Sequence, residues 1–286
     1  MGDLSSLFFG SPFAMLPYYL FLQIFPILLL FVLFEAILIQ RSRKFTFSWR
    51  ESLASLGVAV GHGISKSIFG VIPIGVYSFI WEHRLWTISL NRGWTIFLLF
   101  IGIEFCYYWF HRLTHQIPWL WATHAVHHST THFNLSATYR LGWTGWLSGN
   151  FLFFVPLCWL GFHPGAISIC LGINLLYQFW IHTELIPKLG WLEWIFNTPS
   201  HHRVHHGANP EYINHNYGGI LIIFDRLFGT FTEERLDCPP IYGLTHPLRC
   251  YNPVKIVLHG WSKLFQELKV AKTLHERYWV IIGRPT

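Results

Sequence analysis

Nine histidines stand at four places along the chain, at spacings that would let their side chains converge: His111 and His115 in HRLTH, His124, His127 and His128 in HAVHH, His182 alone, and His202, His205 and His206 in HRVHH. On a helix, residues three and four apart share a face, so H-x-x-x-H presents two imidazoles to a neighbour and H-x-x-H-H up to three. Neutral imidazole suits iron, copper, nickel and zinc. One transition metal accepts fewer ligands than nine, so the set predicts two metals. Which histidine serves which metal stays open at this level. Of the 18 histidines in the chain, His62, His83, His132, His163, His215, His246, His259 and His275 read as ordinary hydrogen-bonded residues. His201, one residue out of register with HRVHH, reads as a support for a ligand.

Elements that hold such a set must bring distant stretches together, and the composition says where. Apolar residues make up 52% of the chain, aromatics 19% and charged residues 12%, about half the charge of a usual soluble domain. This predicts an all-α integral membrane protein. A crossing takes about 20 apolar residues. Residues 13–39 suffice, with Glu35 as the one charge and Pro17 and Pro26 inside the run. No basic residue precedes the run and no small-residue cleavage site follows, so it reads as a span and not a signal peptide. Residues 53–81 form a second candidate, glycine-rich and interrupted by His62 and Lys66. Lys66 is either snorkelling or functional, or it marks a broken or interfacial hairpin. Residues 94–110 make a third span, ending at His111. Residues 143–160 and 164–181 make two further arms around the turn Gly161-Phe162-His163-Pro164. The expectation is four to five transmembrane helices under a histidine-rich di-metal cap.

Topology supplies a separate check. The short basic loop Arg41, Arg43, Lys44 and Arg50 should face the cytoplasm under the positive-inside rule. The spans that follow then deliver His111, and later His182, to that same side. Membership of a bacterial inner membrane or a eukaryotic endoplasmic reticulum follows, with the metal site on the cytoplasmic face. Three units are expected: residues 1–92 with N-terminal transmembrane helices, 93–236 with the catalytic domain and its two hydrophobic arms, and 237–286 as a cytoplasmic or interfacial tail whose stretch from 254 to 270 is amphipathic.

Other classes fit less well. The cysteines Cys106, Cys158, Cys170, Cys238 and Cys250 are odd in number and lack C-x-x-C spacing, which argues against disulfides and structural zinc. A net charge of +6 without basic runs on a soluble domain points to anionic lipid and not to nucleic acid. Hydrolytic zinc enzymes use about three protein ligands and a carboxylate base, fewer imidazoles than are present here. Metal transporters place their ligands along a path near mid-membrane, whereas these clusters lie at span ends. A non-catalytic histidine-rich transporter or lipid-binding protein is therefore the rival reading. Two irons that reduce dioxygen with outside electrons can attack an unactivated C–H bond, which side-chain acids and bases cannot do. Desaturation and hydroxylation begin with the same hydrogen abstraction and stay open as alternatives.

The histidine pattern, with Gln178 four residues before His182, resembles the fatty acid hydroxylase and sterol desaturase superfamily of membrane di-iron enzymes over residues 93–247. Within it the chain is most similar to the alkylglycerol monooxygenase branch and its bacterial relatives. The resemblance rests on YYWFHR from Tyr107, NLLYQFWIHTE from Asn174, NTPSHHRVHHG from Asn197, NYGGILIIFDRLFGTF from Asn216 and YGLTHP from Tyr242. It implies oxidation of a lipid (alkyl ether lipid, acyl chain, lipid headgroup or sterol) with O2, and two Fe ions held by the nine histidines, exchangeable for Zn on purification. Because no H-P-G-G haem motif is fused, it also implies a separate electron donor, either tetrahydrobiopterin or a cytochrome b5 or ferredoxin. Two departures stand out. SATYRLGWTGW, from Ser136 to Trp146, differs from the animal branch, and the chain ends before that branch's further hydrophobic segments.

Metal-bound imidazoles usually donate their second N–H to a carboxylate or carbonyl. Glu104, two helical turns before His111, and Glu184, Asn216 and Asp225 beside ligand motifs are the candidates for that role. Tyr107, Tyr108, Trp109, Tyr139 and Trp143 line either a lipid channel or an aromatic belt. Arg140 and Arg203 are placed to meet a phosphate or the cap.

Overall fold

The computed structural model describes residues 12–283, with side chains from Ile24 onward. It is helical as expected, and among the described residues the only β-pairings are isolated bridges. Helix α1, Pro12–Ser42, is continuous. Val32, Glu35, Ala36 and Ile39 are buried while Leu30, Phe31, Phe34 and Ile37 are exposed. That i, i+3, i+4, i+7 stripe turns one face of an otherwise apolar helix to the protein.

Helix α2, Trp49–Phe69, is capped by Ser48, whose hydroxyl accepts the Glu51 N–H. It meets α3, Val71–Glu82, at an angle of 48°. Pro73 in the first turn of α3 lacks the N–H that would bond the Phe69 carbonyl, which accounts for the bend. Lys66 lies one turn before it, exposed. This region is thus a bent helix pair and not a hairpin.

Helix α4, Gly93–Gln116, ends where Pro118 forces Ile117 into an extended conformation, and α5, Pro118–His124, follows at once. The expected arm at 143–160 is broken. It consists of a turn at Gly145–Ser148, a 3-10 segment Asn150–Phe154 and α6, Val155–Leu160, with Gly149 at φ +80° between the first two. The second arm is the unbroken helix α7, Pro164–Trp180. Helices α8 (Pro199–His205), α9 (Ile223–Leu227), α10 (Pro253–Val270) and α11 (Leu274–Ile282) complete the chain. By length and composition two helical stretches, Ile24–Ser42 and Gly93–Gln116, can cross a membrane, and the bent pair α2–α3 makes a third.

Two packing layers position the cap that holds the histidines. Leu99, Ile103, Cys106 and Tyr107 of α4 pack on Phe154, Leu157, Cys158, Phe162 and Ile167, fixing α4 against α6 and α7. Helix α10 buries Ile256, Val257, Trp261 and Leu264 against Ala54 and Val58 of α2 and Ala122 of α5. Gly260 permits this approach, since a Cβ there would meet the Ala122 backbone at 2.6 Å.

Candidate metal centre

His111 and His115 lie one turn apart on α4, His124 ends α5, and His127 and His128 open a 3-10 turn, His127–Ser129. His182 follows α7, while His202 and His205 lie on α8 and His206 caps it. These elements bring all nine rings together. They form two groups, each with ligand nitrogens within 4.8 Å of one another: His111, His115, His124, His128 and His205 in the first, His127, His182, His202 and His206 in the second. A metal with nitrogens at about 2.1 Å sets opposite ligands about 4.2 Å apart, so both groups match one ion in size.

The partition corrects the idea that H-x-x-H-H serves a single neighbour. HAVHH is not one helix: α5 stops at His124 and the chain changes pitch, so His124 and His128 enter one group and His127 the other. On α8, His202 and His206 share a face and a group, while His205, three residues on from His202, turns to the first. His201 belongs to neither group. Its Nε2 lies 3.8 Å from the Glu193 carboxylate and its ring packs edge-on to Phe231.

Protonation states follow from the anchors. The Nδ1–H of His111 donates to the Tyr217 carbonyl (2.8 Å), that of His182 to the Gln178 carbonyl (2.6 Å) and that of His205 to the His215 carbonyl (3.0 Å). Each bond fixes the tautomer that leaves an Nε2 lone pair facing inward. Burial, reinforced for most by neighbouring imidazoles, holds His124, His127, His128, His202, His205 and His206 well below the usual imidazole range, and burial lowers His182 to about 4. At neutral pH the rings are therefore uncharged.

The Nε2 atoms of His115, His128 and His205 are buried without any partner. Those of His182 and His202 lie 2.8 Å apart, and those of His127 and His182 3.1 Å apart. Lone pairs crowded together in a dry interior are costly unless a cation sits among them. The residues present therefore fit two metal ions. Phe133 lies flat against His182 (5.5 Å between centroids) and Trp121 covers His115 (5.1 Å), which shields the groups from water.

None of the expected support residues hydrogen-bonds a ligand imidazole through its side chain; Asp225, Glu104 and Asn216 act through the backbone. Asp225 accepts the N–H groups of Tyr217 and Gly218, both at 2.7 Å, and the Thr230 hydroxyl. Glu104 accepts the N–H groups of Ile220 and Leu221 at 2.9 Å and the Asn174 amide at 2.6 Å. Asn216, at φ 58°, bonds the His201 and Thr232 carbonyls and accepts the Thr232 N–H. Together they pin residues 215–221, whose carbonyls at His215 and Tyr217 anchor two rings of the first group. Glu184 hydrogen-bonds Tyr242, and burial raises it to about 6.

Two carboxylates outside this expected set do comparable work. Glu35 of α1 accepts the Thr183 hydroxyl (2.5 Å) and the Leu135 N–H (2.7 Å). Glu51 of α2 accepts from Thr130, Thr131 and His132. Arg140 is a strut and not a headgroup contact: its guanidinium bonds Ser55 and Ser129 and lies 3.6 Å from Glu51. Arg203 likewise binds Glu234 in a bidentate pair and the Thr183 and Ile186 carbonyls. Of the aromatics, Tyr107 donates to Gln178, Tyr108 pairs with Thr230 and Trp143 donates to the Val58 carbonyl.

This centre, helical and histidine-rich at the end of apolar helices, is where comparison with known proteins becomes decisive. Residues 96–230 match the model of the fatty acid hydroxylase family. That region belongs to the family. It contains every residue of both histidine groups. The chain is 40% identical over 240 residues to alkylglycerol monooxygenase of Homo sapiens, covering 82% of this chain and 52% of that protein. It is 42% identical over 207 residues to the Xenopus tropicalis enzyme of the same name (72% and 46%), and 30% identical over 191 residues to ornithine lipid hydroxylase OlsE of Rhizobium tropici (66% and 57%). The chain thus spans about half the length of the alkylglycerol monooxygenases it matches. No solved structure matches it.

Proposed function

We propose that the chain is a membrane-bound lipid monooxygenase working through two irons, with alkyl ether lipids as its first substrate class. The observation that carries this reading is the division of nine neutral imidazoles, six buried and three partly buried, into groups of five and four, with unpartnered Nε2 atoms at His115, His128 and His205 and Nε2 atoms crowded against one another in the second group. Similarity to alkylglycerol monooxygenases supports the substrate class. Irons bound there would supply the binding and reduction of dioxygen and the removal of hydrogen from an unactivated C–H bond.

The chain's own residues do the rest. The carbonyls of Tyr217, His215 and Gln178 orient three ligands, Asp225 and Glu104 hold the loop that carries two of those carbonyls, and Phe133 and Trp121 keep bulk water from the rings. In this reading residues 1–92 anchor the protein, 93–236 are catalytic and 237–286 form an interfacial tail. Beside the three spans α1, α2–α3 and α4, residues 150–160 and helix α7 form a hairpin arm that dips into the membrane and returns His182 to the side of the other histidines. Glu35 and Glu51 reach the cap from either side of the basic loop 41–50, which supports a cytoplasmic centre under the positive-inside rule. Electrons come from a separate donor, a reduced pterin or a small redox protein.

The test is purification in detergent from iron-rich cells, followed by metal analysis and incubation with an alkylglycerol lipid, O2 and reductant. Two metals per folded chain and a product that has gained one oxygen, or its ether-cleavage aldehyde, are expected. One metal or none, or a product that has lost two hydrogens, would overturn the reading.

A further inference from the structure

On the cap, beside the last turns of α4, lies an apolar surface that the metal centre does not use. The 3-10 turn Gly190–Trp194 and helix α9 are joined there: Ile222 N–H donates to the Ile195 carbonyl, and Phe196 bridges Leu221. Trp191 is 73% exposed, Trp194 68% and Leu227 68%, with Ile195, Ile223 and Phe228 also exposed. A monomeric soluble surface rarely gathers so many large apolar side chains without a partner.

The position of this patch names the partner. Phe224 packs on Phe105 (5.7 Å) and Phe228 on Trp109 (5.2 Å), so α9 lies against α4 before its first histidine. Helix α4 exposes Trp94, Ile96, Phe97, Leu98 and Phe105 as its lipid-facing flank, and the patch continues that flank without a break. Phe105 and Trp109 are six and two residues before His111, which at 1.5 Å per residue sets the contacts of 224–228 about 9 to 3 Å below the level of that histidine. With the rings at the membrane surface, this overlaps the depth, about 5–10 Å, at which interfacial helices sit. The Arg226 guanidinium lies over Phe231 (3.7 Å) and Trp194 (5.2 Å) and donates to the Glu193 carbonyl, which puts a positive charge at the edge of the patch.

We propose that the segments 190–196 and 222–228 form a wedge inserted into one leaflet, with the acyl and glycerol region of membrane lipid as its occupant, so that the metal cap is sunk into the membrane surface. This rests on the membrane reading of α4. A lipid substrate then enters from the leaflet at the level of the rings and need not be lifted into water.

Spin labels test it. In cysteine-depleted full-length protein in phospholipid nanodiscs, labels are placed by Trp194→Cys and Leu227→Cys, with Phe97→Cys on α4 as lipid reference and Glu211→Cys as solvent reference. Collision with oxygen over a water-soluble nickel complex should favour oxygen at 194 and 227, as at 97, and the nickel complex at 211. If 97 reads lipid while 194 and 227 match 211, the wedge is overturned and the surface is free for a soluble partner. If 97 also reads water, the membrane reading falls with it.

Discussion

A ring that binds metal through Nε2 is only as well aimed as the acceptor of its Nδ1–H. His111, His182 and His205 each have a backbone carbonyl in that role, and backbone does not change with substitution. The nine ligand candidates were legible because their spacing is rare and because histidine is costly to bury without a reason. Their allocation was not legible, since it depends on where α5 stops, and nothing in HAVHH marks that end. The allocation has a consequence for mutants. His205→Ala leaves four imidazoles in its group, whereas His127→Ala leaves three in the other. Both substitutions are expected to abolish turnover, with His127→Ala falling to about one metal per chain and His205→Ala retaining more of its second metal, as read by plasma mass spectrometry of folded protein.

At the scale of elements, the N-terminal helices brace the centre through Glu35 and Glu51. Glu51 and Arg140 are a buried ion pair between α2 and the segment after His128. Removing one partner of such a pair leaves an uncompensated charge. Arg140→Met should therefore cost about 3–5 kcal/mol, visible as a lowered midpoint in thermal unfolding. A paired loss in Glu51→Gln, Arg140→Met that is smaller than the sum of the singles would show the coupling. The single charge of the first apolar run marked Glu35 in the sequence, because a carboxylate in such a run must find donors. Its donors, Leu135 and Thr183, were hidden because they are 100 and 148 residues away. The break at 143–160 was likewise hidden: hydropathy reads an apolar run as one helix, while Gly149 in a left-handed conformation ends it.

For the whole molecule, helical class and the gathering of all four clusters at one end were readable from composition and the order of apolar runs. The number of crossings was less so, because an apolar stretch packed inside a cap looks like one facing lipid. The buried cage makes stability depend on pH. Folded-state imidazoles are held below their usual range, so the unfolded chain takes up protons first as pH falls. Metal-free protein should have its full stability above about pH 6.5 and lose it steadily below, each ring contributing up to about 1.4 kcal/mol per pH unit until its own folded value is reached, about 4 for His182. Differential scanning fluorimetry from pH 8 to pH 5 after chelation checks this, and a flat profile would contradict it.

Each histidine group joins an early helix to the last cluster, His111 to His205 and His127 to His206. Neither can close until the ribosome has passed residue 206. In the proposed enzyme the spans therefore enter the membrane before the cage can close, and any ion it takes binds afterwards. Metal loading is then a step distinct from chain synthesis, set by when the four clusters have met.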